Sequence, residues 1–461
     1  MMNWGGGRKG LKQLARLFLC AFIVFSYMTP NTTSTVPGCP KTENCGTHLE
    51  MGDNRGGYTN KEGNRGDYVE NVCKKYLSDT HSVLERQIDS RTPKVQYDQT
   101  VYSRYFRRNR NVNDVTCHQL FLGDGREIKH AMKSLKTSTR IDIETYVSLK
   151  DTRLCGDFIQ QRGYIMDSLT EEEKDFPLAF GILVHDEDVE LVERLLRAIY
   201  RPQNFYIIHV DAKMHSEERA ALEAIIGCFS NVFLASRSIR VTWSSFQVLE
   251  AEMVCMRDMW RHQAWKYYIN LAGHEFPLRT NYELVRILRD MDGANFVQST
   301  VHRAEPDRWA GAPPIPDRLT PVLGDSHVAV TRAFVDFALH NETAIDLYNW
   351  CRYINYPRRR DPDDDFMKPH LSRFEVWEGM PFSCDKFIRH VCILGMNQLP
   401  VLSRRPEFFA SKFSLDHDPY AYDCMEELLY NRTRHQYLHD RSVNTCYYSS
   451  LWQYKYRVPG H

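Results

Sequence analysis

The chain lacks a net charge. Over 461 residues, 59 Lys and Arg balance 59 Asp and Glu. A histone-like or RNA-coating protein needs an excess of one sign, so a bulk nucleic-acid binder is excluded, although a local basic site is not. No GxxxxGK[ST] occurs, which removes an ATP P-loop. No GxGxxG follows the first apolar strand pattern, which argues against a dinucleotide fold of the usual type. No CxxC pair or His/Cys cluster has the spacing of a zinc site. Charged residues make up 26%, which excludes a polytopic membrane protein. The uncharged run Leu17–Met28 would span only ~18 Å as a helix, against ~30 Å of bilayer hydrocarbon.

That run is nonetheless informative, because Arg8, Lys9, Lys12 and Arg16 precede it. A basic cluster followed by a short apolar stretch reads either as a cleaved signal peptide or as an uncleaved signal anchor with a cytoplasmic N-terminus. Thr29-Pro30-Asn31 follows, with no clear small-x-small cleavage site, so the anchor is the favoured reading. The expected layout is a cytoplasmic tail at 1–16, a membrane segment at 17–28, a lumenal stem at 29–110 and a folded domain at 111–461. Thirteen cysteines suit a secretory compartment. Sequons at Asn31, Asn341 and Asn431 agree with lumenal exposure and mark candidate glycosylation sites. The stem is rich in Gly, Asn, Thr and charge, and its Tyr105–Arg110 stretch (YFRRNR) reads as a solvated face.

From Pro177 the pattern changes. PLAFGILVH, FYIIHVD (Phe205–Asp211), NVFLAS (Asn231–Ser236) and WKYYINLAG (Trp265–Gly273) are apolar runs of strand length. Between them lie helical patterns at Val189–Ile199, Ala220–Ile226 and Trp243–Arg261. Continuous apolar strands alternating with helices predict an α/β fold with a mostly parallel sheet covered on both faces. Ligands of such sheets bind beyond the carboxyl ends of the strands, here His185, Asp211, Ser236–Ser238 and Gly273-His274-Glu275.

PLAFGILVH, RLLRAIYRPQNFYIIHVDAK, GCFSNVFLAS, WKYYINLAGHEFPL and FFASKFSLDHDP resemble the core-2 and I-branching β-1,6-N-acetylglucosaminyltransferases, a family that also includes peptide-O-xylosyltransferases. The likeness runs from about Cys117 to Cys424. It implies a type II Golgi membrane protein with a GT-A catalytic domain. It further implies a UDP-sugar donor, inversion at the anomeric carbon, no metal or other cofactor, and an O-glycan or glycoprotein acceptor joined in β-1,6 linkage.

A transferase of this kind must stabilise charge on a departing diphosphate. Without an Asp-x-Asp-bound metal, cationic side chains must do so. By resemblance Arg389 (FIRHVC) and Lys412 (ASKFS) hold the diphosphate, and His185 and Asp211 line the uracil and ribose pocket with Trp243 nearby. A satisfied strand-end histidine and a packed core tryptophan are the plainer alternatives for His185 and Trp243. A general base must deprotonate the acceptor hydroxyl. The family's Glu after Pro-Asp becomes Asp here, Asp364 counted from Pro362 or Asp365 counted back from Phe366, and a solvated acidic turn is the alternative. The resemblance also suggests disulfides Cys117–Cys424, Cys155–Cys228 and Cys384–Cys392, with Cys255 free or re-paired. The acceptor segment, Phe374-Glu375-Val376-Trp377-Glu378-Gly379, departs from the family, so transfer of glucose or xylose and a non-catalytic lumenal sugar-binding role stay open beside GlcNAc transfer.

Overall fold

The computed structural model describes residues 97–135, 140–185, 188–242, 245–297, 299–300, 309–319, 323–324, 326–354, 371–455 and 457. The segment Leu17–Met28, Asn31, Trp243, Asp364 and Asp365 lie outside them.

Strand β1 (Leu178–Val184) leads into helix α1 (Val189–Ile199), β2 (Phe205–Val210) into α2 (Ser216–Ile226), and β3 (Val232–Leu234) into α3 (Phe246–Trp260). Strand β4 (Tyr267–Ala272) runs on into the short β5 (Glu275–Pro277), and β6 (Ala329–Thr331) returns antiparallel to β4. The order β3-β2-β1-β4-β6, parallel apart from β6, is the mostly parallel sheet that the alternation predicts.

Period-two geometry sorts the strand residues into two cores. Leu178, Phe180, Ile182 and Val184 join Tyr206, Ile208 and Val210 on one face, under the apolar stripes of α1 and α2. Ala179 and Ile207 face the other way, against α3. Gly181 is required on that second face, because a Cβ there would stand 1.8 Å from the Tyr268 hydroxyl. That hydroxyl donates to Glu252 Oε1 of α3 at 2.6 Å. Burial pushes the Glu252 carboxyl up to about 7.

Helix α4 (Asn281–Asp290) opens on a Thr280–Glu283 capping box, and α5 (Arg332–His340) follows β6. The long α6 (Pro419–Leu438) lies against α1 through a buried ion cluster. Glu426 receives Arg194 at 3.0 Å, Arg197 at 2.5 Å and Arg110 at 2.7 Å. The arginines hold its carboxyl far below the ordinary carboxylate range, against the opposing effect of burial. Arg110 therefore corrects the reading of Tyr105–Arg110 as a solvated face. Phe106 is fully buried and packs on Tyr430 and Tyr437 of α6.

The three disulfides suggested by resemblance are present: Cys117–Cys424, Cys155–Cys228 and Cys384–Cys392. Cys351 and Cys446, which sequence reasoning did not pair, are disulfide-bonded as well. Cys255 is free and buried in α3.

Candidate active site

The site is assembled at the carboxyl edge of the sheet. His185 follows β1 and His274 follows β4, and their rings stack with centroids 6.1 Å apart. Asp211 follows β2 and is nearly sealed from solvent. Its Oδ1 accepts from Lys213 N at 2.8 Å and its Oδ2 from Val241 N at 3.1 Å. His209, on β2, accepts from Ile239 N through Nε2 at 2.9 Å, which leaves the ring proton on Nδ1, and burial pushes its pKa down. Arg219 donates to Val210 O and Asp211 O and to Ser238 Oγ. Asp211, His209 and Arg219 thus fasten the loop after β3 to the end of β2. The Asp211 carboxylate braces that loop through backbone amides, a role sequence reasoning did not anticipate.

A second, smaller sheet extends this edge. Strand β7 (Arg373–Glu375) and β5 both pair with a further strand, β10 (Phe409–Ser411), in the order β5-β10-β7; between β7 and β10 the chain forms a hairpin of β8 (Phe387–Ile388) and β9 (Val391–Cys392). Phe276, Ala410 and Phe374 are register partners and join the same apolar core as Phe413 and Tyr422. Alternation gives the opposite face to the row Glu275, Ser411 and Glu375. Glu275 is 0% exposed and pairs with Arg373 Nε at 2.7 Å. Arg373 also donates to Asn270 O of β4, which ties the small sheet to the large one. His327, just before β6, places Nε2 3.5 Å from Glu275 Oε1 and 3.8 Å from Glu375 Oε1.

Lys412 follows β10 directly, and its carbonyl accepts from Leu394 N at 2.9 Å. Leu394 lies two residues beyond β9. Arg389 and His390 form the two-residue tip of the hairpin, with φ of 53° and 64°. Positive φ at both tip residues matches the right-handed twist of the flanking strands, and is normally left to Asn-Gly. Three contacts hold the tip: the Cys384–Cys392 disulfide, Glu378 N donating to His390 O at 2.8 Å, and His390 Nδ1 at 2.6 Å from Glu378 Oε2. Arg389 and Lys412 are therefore carried by one hydrogen-bonded unit, although 23 residues (412 − 389) separate them. Sequence reasoning assigned Arg389 and Lys412 by resemblance through their flanks, and singled out Glu275 as a strand end. It missed His327 and Arg373 altogether.

Among the described residues no three His, Cys, Asp or Glu side chains form a group that could hold a metal ion. Asn341 caps its helix through Oδ1, whereas Asn431 sits inside α6 with both amide atoms bonded to the backbone of Arg110.

The mostly parallel sheet, with charged groups gathered at its carboxyl edge, has the α/β architecture of a GT-A-like glycosyltransferase, and comparison with known proteins agrees. The model of the Core-2/I-Branching enzyme family matches residues 178–370. The human β-1,3-galactosyl-O-glycosyl-glycoprotein β-1,6-N-acetylglucosaminyltransferase is 33% identical over 369 residues, 69% of this chain and 85% of its own. Its bovine counterpart is 35% identical over 366 residues, with the same coverage. The mouse N-acetyllactosaminide β-1,6-N-acetylglucosaminyl-transferase is 32% identical over 325 residues, 61% of this chain and 80% of its own. The chain belongs to the core-2/I-branching enzyme family and is a glycosyltransferase.

Proposed function

We propose that this glycosyltransferase moves N-acetylglucosamine from a UDP-sugar to an O-glycan of a glycoprotein, in β-1,6 linkage, with inversion and without a metal ion. The observation that carries the reading is the relationship itself, since the relatives named above are β-1,6-N-acetylglucosaminyltransferases and share about a third of their residues with most of this chain.

The chemistry needs three things of the protein. Arg389 and Lys412 neutralise the diphosphate as the bond from the sugar C1 to the phosphate oxygen breaks and its electron pair leaves with UDP. The acceptor oxygen forms the new bond to C1 from the opposite side. The Asp364 carboxylate, or that of Asp365, takes the hydroxyl proton. The nucleoside lies over the ends of β1 and β2, near His185 and Asp211, and Trp243, outside the described residues, is assigned to the same pocket. The enzyme works in the Golgi lumen, held by the anchor at Leu17–Met28.

A donor panel tests the reading. UDP release is measured from UDP-GlcNAc, UDP-glucose and UDP-xylose with a mucin-type acceptor in excess EDTA. Turnover of UDP-GlcNAc at full rate is expected. A preference for glucose or xylose overturns the donor, and strict dependence on Mn²⁺ overturns the two-cation clamp.

A further inference from the structure

Glu375 and His327 take no part in the transfer chemistry described above, yet their setting is built. Glu375 closes β7, and its register partner Ser411 immediately precedes Lys412. His327 leans over the same row, and its main chain is pinned from both sides. Ser372 Oγ donates to His327 O at 3.2 Å, and the next residue, Val328, donates its N–H to Asn270 Oδ1 at 2.8 Å.

The Nε2 of His327 carries at most one hydrogen, and among the described residues the carboxylates of Glu275 and Glu375 both face it. Glu275 is sealed from solvent, and its Oε1 receives no hydrogen bond of normal geometry from the described residues. A buried acceptor without a donor is costly, so the imidazole N–H is best used on Glu275. Glu375 is the other case. Its side chain is 12% exposed and that of His327 17%, so this end of the row opens to solvent. With the imidazole turned to Glu275, the Glu375 carboxylate has no other donor among the described residues and is open to one from a bound molecule. A diphosphate is repelled by it, whereas a hydroxyl is not. A strand adjacent to Lys412 is where the sugar attached to that diphosphate, and the sugar that attacks it, must meet.

We propose that Glu375 accepts a hydrogen bond from a hydroxyl of one of the two sugars that meet at the transfer step, with His327 as the residue that positions it. This deepens the reading of the chain as a UDP-sugar transferase and rests on it.

The test compares wild type, Glu375→Ala, Glu375→Gln and His327→Ala in steady-state kinetics with donor and acceptor varied separately, beside calorimetric binding of UDP. Glu375→Ala is expected to raise the KM of one sugar substrate by about 10- to 150-fold, the range of one charge-assisted hydrogen bond, with a smaller change in kcat. A rise for the acceptor assigns the hydroxyl to the acceptor, and a rise for the UDP-sugar assigns it to the donor. Glu375→Gln should recover part of the loss, because an amide oxygen still accepts. His327→Ala should cost less and add little to Glu375→Ala. UDP should bind all variants as it binds wild type. Kinetic constants within threefold of wild type for Glu375→Ala overturn the proposal. So does loss of UDP affinity together with transfer, which marks the row as structural. A wild type that does not bind UDP removes the parent reading, and is told apart because it needs no substitution.

Discussion

At the scale of single residues, the two cations and the acidic turn should separate kinetically. Arg389→Ala should weaken UDP binding by roughly 10- to 150-fold in calorimetry, one charge-assisted phosphate contact. Lys412→Ala should act similarly. The double variant should lose less than the sum, since both side chains serve one diphosphate. Asp364→Asn should instead lower turnover by ~10²–10⁴-fold while UDP affinity holds. If neither Asp364→Asn nor Asp365→Asn slows transfer by more than about threefold, the turn is only a solvated loop. Asn431 offers a different readout. Its Nδ2 already donates to Arg110 O at 2.9 Å inside a helix, whereas among the described residues the Asn341 side chain bonds through its cap oxygen Oδ1. Glycopeptide mapping should find a glycan on Asn341 and none on Asn431. Long flanks singled out Arg389 and Lys412 by resemblance, while their placement on one unit comes only from the fold. The hairpin tip was not legible, because Ile388-Arg389-His390-Val391 contains neither Asn nor Gly to signal a turn. His327 was illegible because its partners come from positions 275 and 375, and only the folded sheet brings them to it.

At the scale of elements, α1 and α6 are joined by charge and α3 is joined to the sheet by a buried acid, and the two titrate in opposite senses. Glu426 has a depressed carboxyl, so its contribution to stability is present above its ordinary value of 4.5 and is lost as pH falls below it. Among the described residues, Glu426→Gln leaves Arg194 with Asp423 at 2.5 Å but Arg197 with only Glu193 at 3.9 Å, which should cost up to about 3–5 kcal/mol in urea unfolding at pH 7. Glu252 is raised, so its contribution is fully present below 4.5 and is lost as pH rises through about 7. Glu252→Gln should remove that decline, worth roughly 3 kcal/mol across the window. An unchanged pH slope in this variant would place the titration elsewhere. The strands and helices of the large sheet were legible because their apolar runs are continuous and their helices periodic. Helix α2 begins at Ser216, earlier than the expected Ala220, because its first turn is polar; Glu217 and Glu218 there favour the helix N-terminus through the dipole rather than through burial. Helix α3 begins at Phe246. The small sheet left no trace, because three residues each from three distant places are too few for any periodicity.

At the scale of the whole molecule, the anchor is tested in cells. Carbonate extraction should leave the intact chain with the membranes, whereas a soluble product beginning near Asn31 would mark signal cleavage. The disulfide between Cys117 and Cys424 carries a further consequence for such a chain. It closes a loop of 307 residues and ties the start of the folded domain to α6. Translation runs at about 5–20 residues per second, so Cys117 would enter the lumen about 15–60 s before its partner exists. During that interval Cys155, Cys228, Cys255, Cys351, Cys384 and Cys392 all emerge ahead of Cys424. The nascent chain thus offers an early thiol six wrong mates before the right one, and the last long helix has to be threaded into place before the first can be locked. Maturation of a chain that enters the lumen would therefore be paced by the end of synthesis and by thiol exchange, and a ribosome stalling short of Cys424 would release a chain that cannot close.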